Sequence, residues 1–325
     1  MCVTGPVDSV VIIPARNEEQ RIVACLRALA HQGDGLAIVI VANNCTDRTV
    51  AVARAAGMDM GLTVEILECT FSPEAGVGKA RRLGCAQALA RWPRARHLLT
   101  TDADCLVASD WVARNRFHLG EVAAVCGRVS PMASELSVLG GIDIVTAEME
   151  GRYEALVMEF YRRFRPGPCG LDGDHGGAAG ASLGVLASAY RAVGGFADLN
   201  IGEDRDLVRR LKSAGFGVRH AGDIGVAASC RLDGRAQGGM SDALRARAAR
   251  TDYLIDDALP PAEMLIDAAN RGELGPWPLH VPARHRLRAC DLAPHIAALE
   301  TALLAMPTMP PPRAVPTTGV AMSSP

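Results

Sequence analysis

The chain has 325 residues, which is enough for one large domain or two small ones with a sizeable buried core. Its formal net charge of −2 argues against a nucleic acid as partner, because such proteins usually carry a strongly basic surface. The ten cysteines form no C-x-x-C pair and no metal-spaced cluster, which favours reduced thiols in a cytosolic protein.

Targeting and membrane signals are the next feature that the sequence bears on. The first six residues lack a basic region followed by an apolar core, so we expect no secretory signal. No stretch approaches the roughly 18 to 20 apolar residues that span a bilayer. We therefore expect a soluble protein without a transmembrane segment, located in the cytoplasm or peripherally at the inner membrane surface.

The first hundred residues alternate short apolar runs with helical patterns. The apolar runs predict strands at 9–13, 37–41, 63–67 and 97–101, and Pro14 is expected to end the first of them. Helical spacing predicts helices at 18–32, 50–57 and 80–90. Alternating strands and helices predict an α/β fold with a mostly parallel central sheet and helices on both faces.

The remainder of the chain follows a different pattern. It predicts a helix from Trp111, a strand at 122–126, helices at 144–164, 187–193 and 204–214, and extended segments at 218–228. The glycine-rich residues 170–184 are expected to form a loop. We predict a main α/β domain at 1–240, a helical C-terminal extension at 241–305 and a disordered Pro-rich tail at 306–325.

The most informative motif is Asp102-Ala103-Asp104, directly after the apolar run at 97–101. If the chain is extended there, the two carboxylates point the same way and can reach one divalent cation. A hard cation such as Mg²⁺ or Mn²⁺ prefers oxygen ligands and binds diphosphates well. The position also fits, because ligands of open α/β sheets bind beyond the carboxyl ends of strands.

Six motifs occur in a characteristic order along the chain. They are Val11-Ile12-Ile13-Pro14-Ala15-Arg16-Asn17-Glu18-Glu19, Asn43-Asn44-Cys45-Thr46-Asp47, Gly78-Lys79-Ala80-Arg81, Asp102-Ala103-Asp104, Gly194-Gly195-Phe196 and Gly202-Glu203-Asp204-Arg205-Asp206-Leu207. Together they resemble the family 2 glycosyltransferases of the GT-A fold over roughly residues 8 to 240. The resemblance implies a GT-A fold, a nucleoside-diphosphate sugar as donor, Mg²⁺ or Mn²⁺ as cofactor, and inversion at the anomeric carbon.

The same resemblance implies the residues that bind the donor and the metal. Asp102 would face the ribose or the metal, and Asp104 would bind the metal directly. Lys79 and Arg81 or Arg82 could neutralise phosphate or contact the base. The expected donor-binding set is Pro14, Ala15, Arg16, Asn17, Glu18, Asn43, Asn44, Lys79, Arg81, Asp102, Ala103 and Arg235.

Catalysis with inversion requires a base that takes the proton of the acceptor hydroxyl. The resemblance points to the Glu203-Asp204 pair at a predicted helix start, with Asp204 as base and Glu203 positioning the acceptor or its partner. The alternative for this pair is an acidic helix N-terminus favoured by the helix dipole. His175 and His220 are candidates for completing the metal shell.

The leading functional prediction is a metal-dependent, inverting glycosyltransferase whose hydroxyl acceptor is a small molecule, a glycan or a lipid-linked molecule. A sugar nucleotidyltransferase, which also uses paired carboxylates and Mg²⁺, is the alternative enzyme. A non-catalytic nucleotide-sugar-binding protein is the alternative outside enzymes. The presence of both Asp104 and Asp204 argues against a non-catalytic binding protein, because binding alone needs no base.

Overall fold

A computed structural model describes residues 6–72, 75–234, 239–249 and 252–305. The strands are β1 (Ser9–Ala15), β2 (Leu36–Asn43), β3 (Val64–Cys69), β4 (His97–Thr100), β5 (Cys105–Val107), β6 (Ala124–Pro131), β7 (Asp172–Gly173), β8 (Leu183–Leu186) and β9 (Val218–Ala228). The helices are α1 (Ile22–Leu29), α2 (Thr49–Asp59), α3 (Val77–Arg91), α4 (Trp111–Leu119), α5 (Ile144–Phe164), α6 (Ala187–Ala192), α7 (Glu203–Ser213), α8 (Met240–Ala248), α9 (Ala262–Asn270) and α10 (Leu292–Ala305).

The strands form one mixed sheet in the order β3-β2-β1-β4-β8-β6-β9-β5, with β7 paired to β9. β1, β2, β3 and β4 are mutually parallel, and β8 runs antiparallel to β4 and β6. β6 and β9 are parallel, while the short β5 runs antiparallel to the end of β9. The prediction of a mostly parallel sheet with surrounding helices is confirmed.

Apolar side chains on both faces of the sheet explain why its central strands are continuously apolar. Val11 and Ile13 belong to one buried cluster, together with residues of α1, α2 and α4. Val10 and Ile12 belong to a second cluster, with residues of α3, α6 and α7. Successive strand residues point to opposite faces, so a strand covered on both sides needs apolar residues at every position.

β1 continues through Pro14 to Ala15, so the prediction that Pro14 ends the strand is wrong. The physical reason lies in the pairing on the β4 side. Pairing between β1 and β4 ends at Ile12 and Thr100, whereas pairing with β2 continues to Ala15. Pro14 lacks an N–H on the side where no partner strand remains, so its presence breaks no ladder bond.

A third apolar cluster joins α5 to the C-terminal helices. Tyr153, Phe160 and Tyr161 of α5 pack with Leu265 of α9 and Leu299 of α10, all of them buried. The helix predicted at 144–164 therefore packs against the C-terminal helices. The proposed boundary at residue 240 stays a prediction, and residues 306–325 lie outside the described residues.

Within the described part of the chain, no helix combines the length and the apolar character needed to cross a bilayer.

Candidate active site

The loops that follow β1 and β2 are fastened to each other at the carboxyl edge of the sheet. Asn17 and Asn44 both have positive φ, 56° and 50°, a conformation that asparagine tolerates better than most residues. The Asn17 side-chain oxygen accepts a hydrogen bond from the Thr46 backbone N–H at 2.8 Å. The Asn44 amide bonds both backbone groups of Phe71, beyond β3. The donor-binding loops expected from sequence thus share one edge of the sheet.

Asp102-Ala103-Asp104 forms a turn between β4 and β5. The Cys105 N–H donates to the Asp102 carbonyl at 3.1 Å and closes the turn. Ala103 is buried, and the Asp102 and Asp104 side chains are 34% and 20% exposed. The sequence argument assumed an extended chain here; the structure places both carboxylates at the same edge through a turn.

Arg81 connects this turn with the start of α7. Its guanidinium bonds the Asp102 carboxylate at 2.5 Å and also the Glu203 carboxylate. Burial opposes its charge, but the two carboxylates raise the pKa of Arg81 above its usual value and keep it cationic. Arg81 is 3% exposed, so it lies beneath the site as a bridge between the two acidic motifs.

Two glycines make room for this bridge. A Cβ on Gly78 would lie 2.7 to 2.9 Å from the backbone oxygens of Ala197 and Leu199 and from Glu203. A Cβ on Gly180 would lie 2.4 Å from the Arg81 guanidinium carbon. The first glycine lets α3 approach the segment before α7, and the second lets the glycine-rich loop cover Arg81.

Glu203 and Asp204, the first two residues of α7, have different surroundings. Glu203 is 1% exposed; burial raises its pKa, and the Arg81 cation opposes that rise. Asp204 is half-buried and accepts backbone N–H bonds from Gly180 at 2.6 Å and Arg205 at 2.7 Å. Asp204 is therefore the member of the pair that can meet a substrate.

Arg231, three residues beyond β9, binds the carboxylates on the other side of the turn. Its guanidinium bonds both Glu18 oxygens, at 2.8 and 2.5 Å, and lies 2.9 Å from an Asp104 oxygen. The pairing of β5 with β9 explains this approach, since Cys105 lies opposite Ala228. Arg231 was not among the site residues predicted from sequence, although Arg235, four residues later, was.

A further ion pair extends this network. Glu135 accepts from Arg21 at 2.6 Å and from the Ser229 hydroxyl and Cys230 N–H at 2.9 and 2.8 Å. The carboxylates in these ion pairs outnumber the guanidiniums. The carboxylates are Glu18, Asp102, Asp104, Glu135 and Glu203; the guanidiniums are Arg21, Arg81 and Arg231.

The chemistry of Asp102 and Asp104 fits a divalent cation. Burial, reinforced by the Asp102 carboxylate, raises the pKa of Asp104 to about 6 despite the nearby Arg231. Oxygen ligands at a site of surplus negative charge are what Mg²⁺ and Mn²⁺ prefer. The described residues contain no group of three or more acidic, histidine or cysteine side chains arranged around a metal position. Asp102 and Asp104 would therefore be two of the ion's oxygen ligands, and its other ligands would be atoms outside a cluster of that kind.

The two histidines considered as metal ligands form part of a separate buried cluster. The Lys212 ammonium donates to the Gly170 carbonyl at 2.6 Å and contacts His220 Nε2 at 3.2 Å. His220 Nδ1 lies 2.9 Å from the Gly177 carbonyl, and His175 Nδ1 accepts from the Gly177 N–H at 3.1 Å. Burial, with help from the Lys212 charge, lowers the pKa of His220 well below its usual value. Both ring nitrogens of His220 are therefore engaged in holding the glycine-rich loop.

Two tryptophans from different apolar clusters donate hydrogen bonds to the same loop. Trp111 Nε1 donates to the Ser182 hydroxyl at 3.1 Å, and Trp277 Nε1 donates to the Gly176 carbonyl at 2.8 Å. Both indoles are buried. Trp277 belongs to the third apolar cluster, so the C-terminal helices also support this loop.

Other residues expected at the donor site have varied positions. Arg16 is exposed in the loop after β1, and Glu18 is buried against Arg231. Lys79, on the first turn of α3, lies over the Phe71 ring at 5.0 Å. Arg235 is outside the described residues. Pro14, Ala15, Asn43 and Ala103 lie at or beside the same carboxyl edge of the sheet.

The fold also relates the chain to solved structures. A mannosyltransferase, PcManGT from Pyrobaculum calidifontis, solved with GDP-Man and Mn²⁺, is similar with a TM-score of 0.54 and 19% identity, over 95% of this chain and 78% of that one. Glucosyl-3-phosphoglycerate synthase from Mycobacterium tuberculosis has a TM-score of 0.48 at 12% identity, over 86% and 85% of the two chains. S. aureus TarS 1-349 has a TM-score of 0.49 at 14% identity, over 69% and 61%. In three TarS structures the chain spans 36%, 61% and 60% of the matched protein.

Part of the sequence also matches a family. Residues 10–132 match glycosyl transferase family 2, and this stretch contains β1 to β6 and the Asp102-Ala103-Asp104 turn. The architecture is that of a GT-A nucleotide-diphospho-sugar transferase. The family match over residues 10–132 confirms the resemblance found in the motifs. No curated protein matches the chain significantly.

Proposed function

We propose that the protein transfers a sugar, with inversion, from a nucleoside-diphosphate sugar to a hydroxyl acceptor, using a divalent cation held by Asp102 and Asp104. The observation that carries the proposal is the Arg81 bridge, which joins the Asp102 carboxylate to Glu203 at the start of α7. It couples the expected donor motif to the expected base motif in one site. A mannosyltransferase of similar fold was solved with GDP-Man and Mn²⁺, which supports a donor and cofactor of the same classes.

Each acidic residue has a separate task in this proposal. Asp204 takes the proton from the acceptor hydroxyl as the hydroxyl oxygen attacks the anomeric carbon. Its hydrogen bonds from Gly180 and Arg205 fix the carboxylate while leaving other lone pairs for the acceptor. Glu203 is buried and therefore has no face toward an acceptor. Its task is to hold Arg81 in place through their ion pair. When bound at Asp102 and Asp104, a divalent cation offsets the charge on the departing diphosphate.

The donor-binding part of the proposal rests on the edge of the sheet. The loops after β1 and β2 would hold the nucleoside, with Asn17 and Asn44 fixing the loop shapes. Lys79 lies at the start of α3, where a cation and the helix N-terminus together favour phosphate. The acceptor remains one of three classes: a small molecule, a glycan or a lipid-linked molecule. A cytoplasmic or membrane-peripheral location is the accompanying proposal.

The decisive experiment separates base catalysis from donor binding. The protein is incubated with a panel of nucleotide sugars and Mn²⁺, and release of nucleoside diphosphate identifies the donor through its slow hydrolysis or transfer. With a donor and acceptor in hand, Asp204→Asn should lower transfer by about 10²- to 10⁴-fold and leave the donor Kd nearly unchanged. The matched control is Asp206→Asn, because Asp206 lies in the same helical turn but pairs with Arg210.

Three outcomes would contradict the proposal. Full turnover in EDTA would remove the metal role of Asp102 and Asp104. Equal losses in Asp204→Asn and Asp206→Asn would show that helix charge, and not a base, is being measured. Formation of a sugar nucleotide and pyrophosphate from a nucleoside triphosphate and a sugar phosphate would favour the nucleotidyltransferase.

A further inference from the structure

Arg231 stands out among the charged residues of the site because it binds the carboxylate expected to hold the metal. Its guanidinium lies 2.9 Å from Asp104 Oδ2 and makes a two-pronged contact with Glu18 at 2.8 and 2.5 Å. The Arg231 side chain is 17% exposed and the Glu18 side chain 5%. Such a charge-assisted, bidentate pair is among the stronger polar contacts in proteins.

The two oxygens of Asp104 have different partners. Oδ2 faces Arg231, and Oδ1 lies 3.8 Å from the Cys105 sulfur as acceptor of a weak thiol bond. A divalent cation that binds Oδ2 must displace Arg231 from that oxygen. A cation that binds Oδ1 shares the carboxylate with the guanidinium and is repelled by it. In either case Arg231 opposes metal binding by Asp104.

We infer that Arg231 is a built-in counter-cation of Asp104 that competes with the divalent metal and keeps metal affinity low while the donor is absent. The inference rests on the proposed function, because it takes Asp104 as a metal ligand. Glu18 retains the guanidinium in the site after the contact with Asp104 is lost. The diphosphate of a donor then offers Arg231 a replacement anion, so donor and metal favour each other's binding.

Arg21 provides the matched control for this inference. It is also a cation near Asp104, but its guanidinium pairs with Glu135 at 2.6 Å. Its replacement removes the same unit charge from the same neighbourhood without freeing an Asp104 oxygen. Comparing the two arginines therefore separates direct competition from long-range charge effects.

The experiment measures Mn²⁺ binding to the protein without nucleotide, by electron paramagnetic resonance of free Mn²⁺ or by calorimetry. Arg231→Gln should bind Mn²⁺ at least about tenfold more tightly than the wild type, which corresponds to the loss of one hydrogen bond between charged groups. Arg21→Gln should change the affinity much less. Equal gains in both variants, or no gain in Arg231→Gln, would overturn the inference.

A second pair of variants keeps the charge constant and protects the test against a folding failure of Arg231→Gln. Arg231→Lys retains a cation for the buried Glu18, but an ammonium lacks the fork that holds two carboxylates at once. Its Mn²⁺ affinity should rise by about two- to fivefold, whereas Arg21→Lys should leave it unchanged. An Arg231→Lys affinity equal to that of the wild type would contradict competition at Asp104.

Asp104→Asn distinguishes failure of this inference from failure of the proposed function. If it abolishes Mn²⁺ binding while the Arg231 variants bind like the wild type, the metal site stands and the competition is wrong. If Asp104→Asn leaves Mn²⁺ binding intact, the proposed metal site fails and the inference fails with it. Support requires loss in Asp104→Asn and a gain in Arg231→Gln that disappears in the double variant.

Discussion

The two acidic motifs of the site have similar composition and different surroundings. At the Asp102-Asp104 turn, two partly exposed carboxylates face two arginines and further carboxylates. At the start of α7, Glu203 is buried against Arg81 and Asp204 is held by backbone N–H groups. One motif thus concentrates negative charge, as cation binding requires, and the other presents a single oriented carboxylate, as a base requires. Residue type alone does not assign these roles; the neighbours do.

Removing Arg81 should break this comparison most severely, because both motifs share its guanidinium. Arg81→Gln leaves Glu203 buried without a counter-charge, and we expect a loss of about 3–5 kcal/mol in the free energy of unfolding. Urea denaturation measures this loss. The double variant Arg81→Gln/Glu203→Gln should recover part of it, because no uncompensated charge remains at Glu203. If the loss in the double variant equals the sum of the losses in Arg81→Gln and Glu203→Gln, a direct ion pair between the two residues is contradicted.

Adding a methyl group at Gly180 tests the packing that holds the two motifs together. Gly180→Ala places a Cβ 2.4 Å from the Arg81 guanidinium carbon, so Arg81 or the loop must shift. We expect a loss of about 1–3 kcal/mol in the free energy of unfolding, measured by urea denaturation. Gly140→Ala is the control, because its Cβ meets no atom within 4 Å. A Gly180→Ala protein as stable as the control variant would show that the loop does not press on Arg81.

The smallest expected effect concerns the buried Lys212, which fastens the beginning of the glycine-rich loop. Burial lowers the pKa of Lys212 from 10.5 to about 8, so the unfolded chain binds more protons than the folded one between these values. Stability contributed by Lys212 therefore rises with pH in that window. Relative to Lys212→Met, the wild type should gain about 1–2 kcal/mol in unfolding free energy from pH 7.5 to 9.5.

Paired urea titrations at the two pH values measure this gain. The titratable neighbours Cys126, Cys169, Asp172 and His220 and the cation Arg165 are present in both proteins. The pKa of His220 lies well below its usual value, so His220 stays neutral between pH 7.5 and 9.5. A difference between the two proteins that is constant with pH, or that falls as pH rises, would contradict a depressed pKa of Lys212.

Local sequence patterns predicted the sheet well because its strands are buried on both faces. The apolar runs at 9–13 and 37–41 lie within β1 and β2, and the helix predicted at 144–164 has the bounds of α5. The same alternation of strands and helices predicted that the motifs meet at the carboxyl edge of the sheet. These features depend on hydrophobic periodicity, which a single chain displays directly.

Long-range pairing could not be predicted in the same way. β5 is three residues long and owes its existence to the end of β9, more than a hundred residues later. Without β5, nothing in the sequence indicates that Arg231 reaches Asp104 and Glu18. The extended chain assumed for Asp102-Ala103-Asp104 failed for a related reason, since a turn is needed to lead β4 into β5. The site residues assigned by resemblance stay predictions for the experiments above.

The indole contacts of the glycine-rich loop have a practical consequence. The chain has three tryptophans, and two of them, Trp111 and Trp277, donate their N–H groups to this loop at Ser182 and Gly176. Intrinsic fluorescence is sensitive to such hydrogen bonds, so emission from these two side chains can follow the loop without an attached dye. Single Trp→Phe variants at 111 and 277 would assign the signal to one end of the loop or the other.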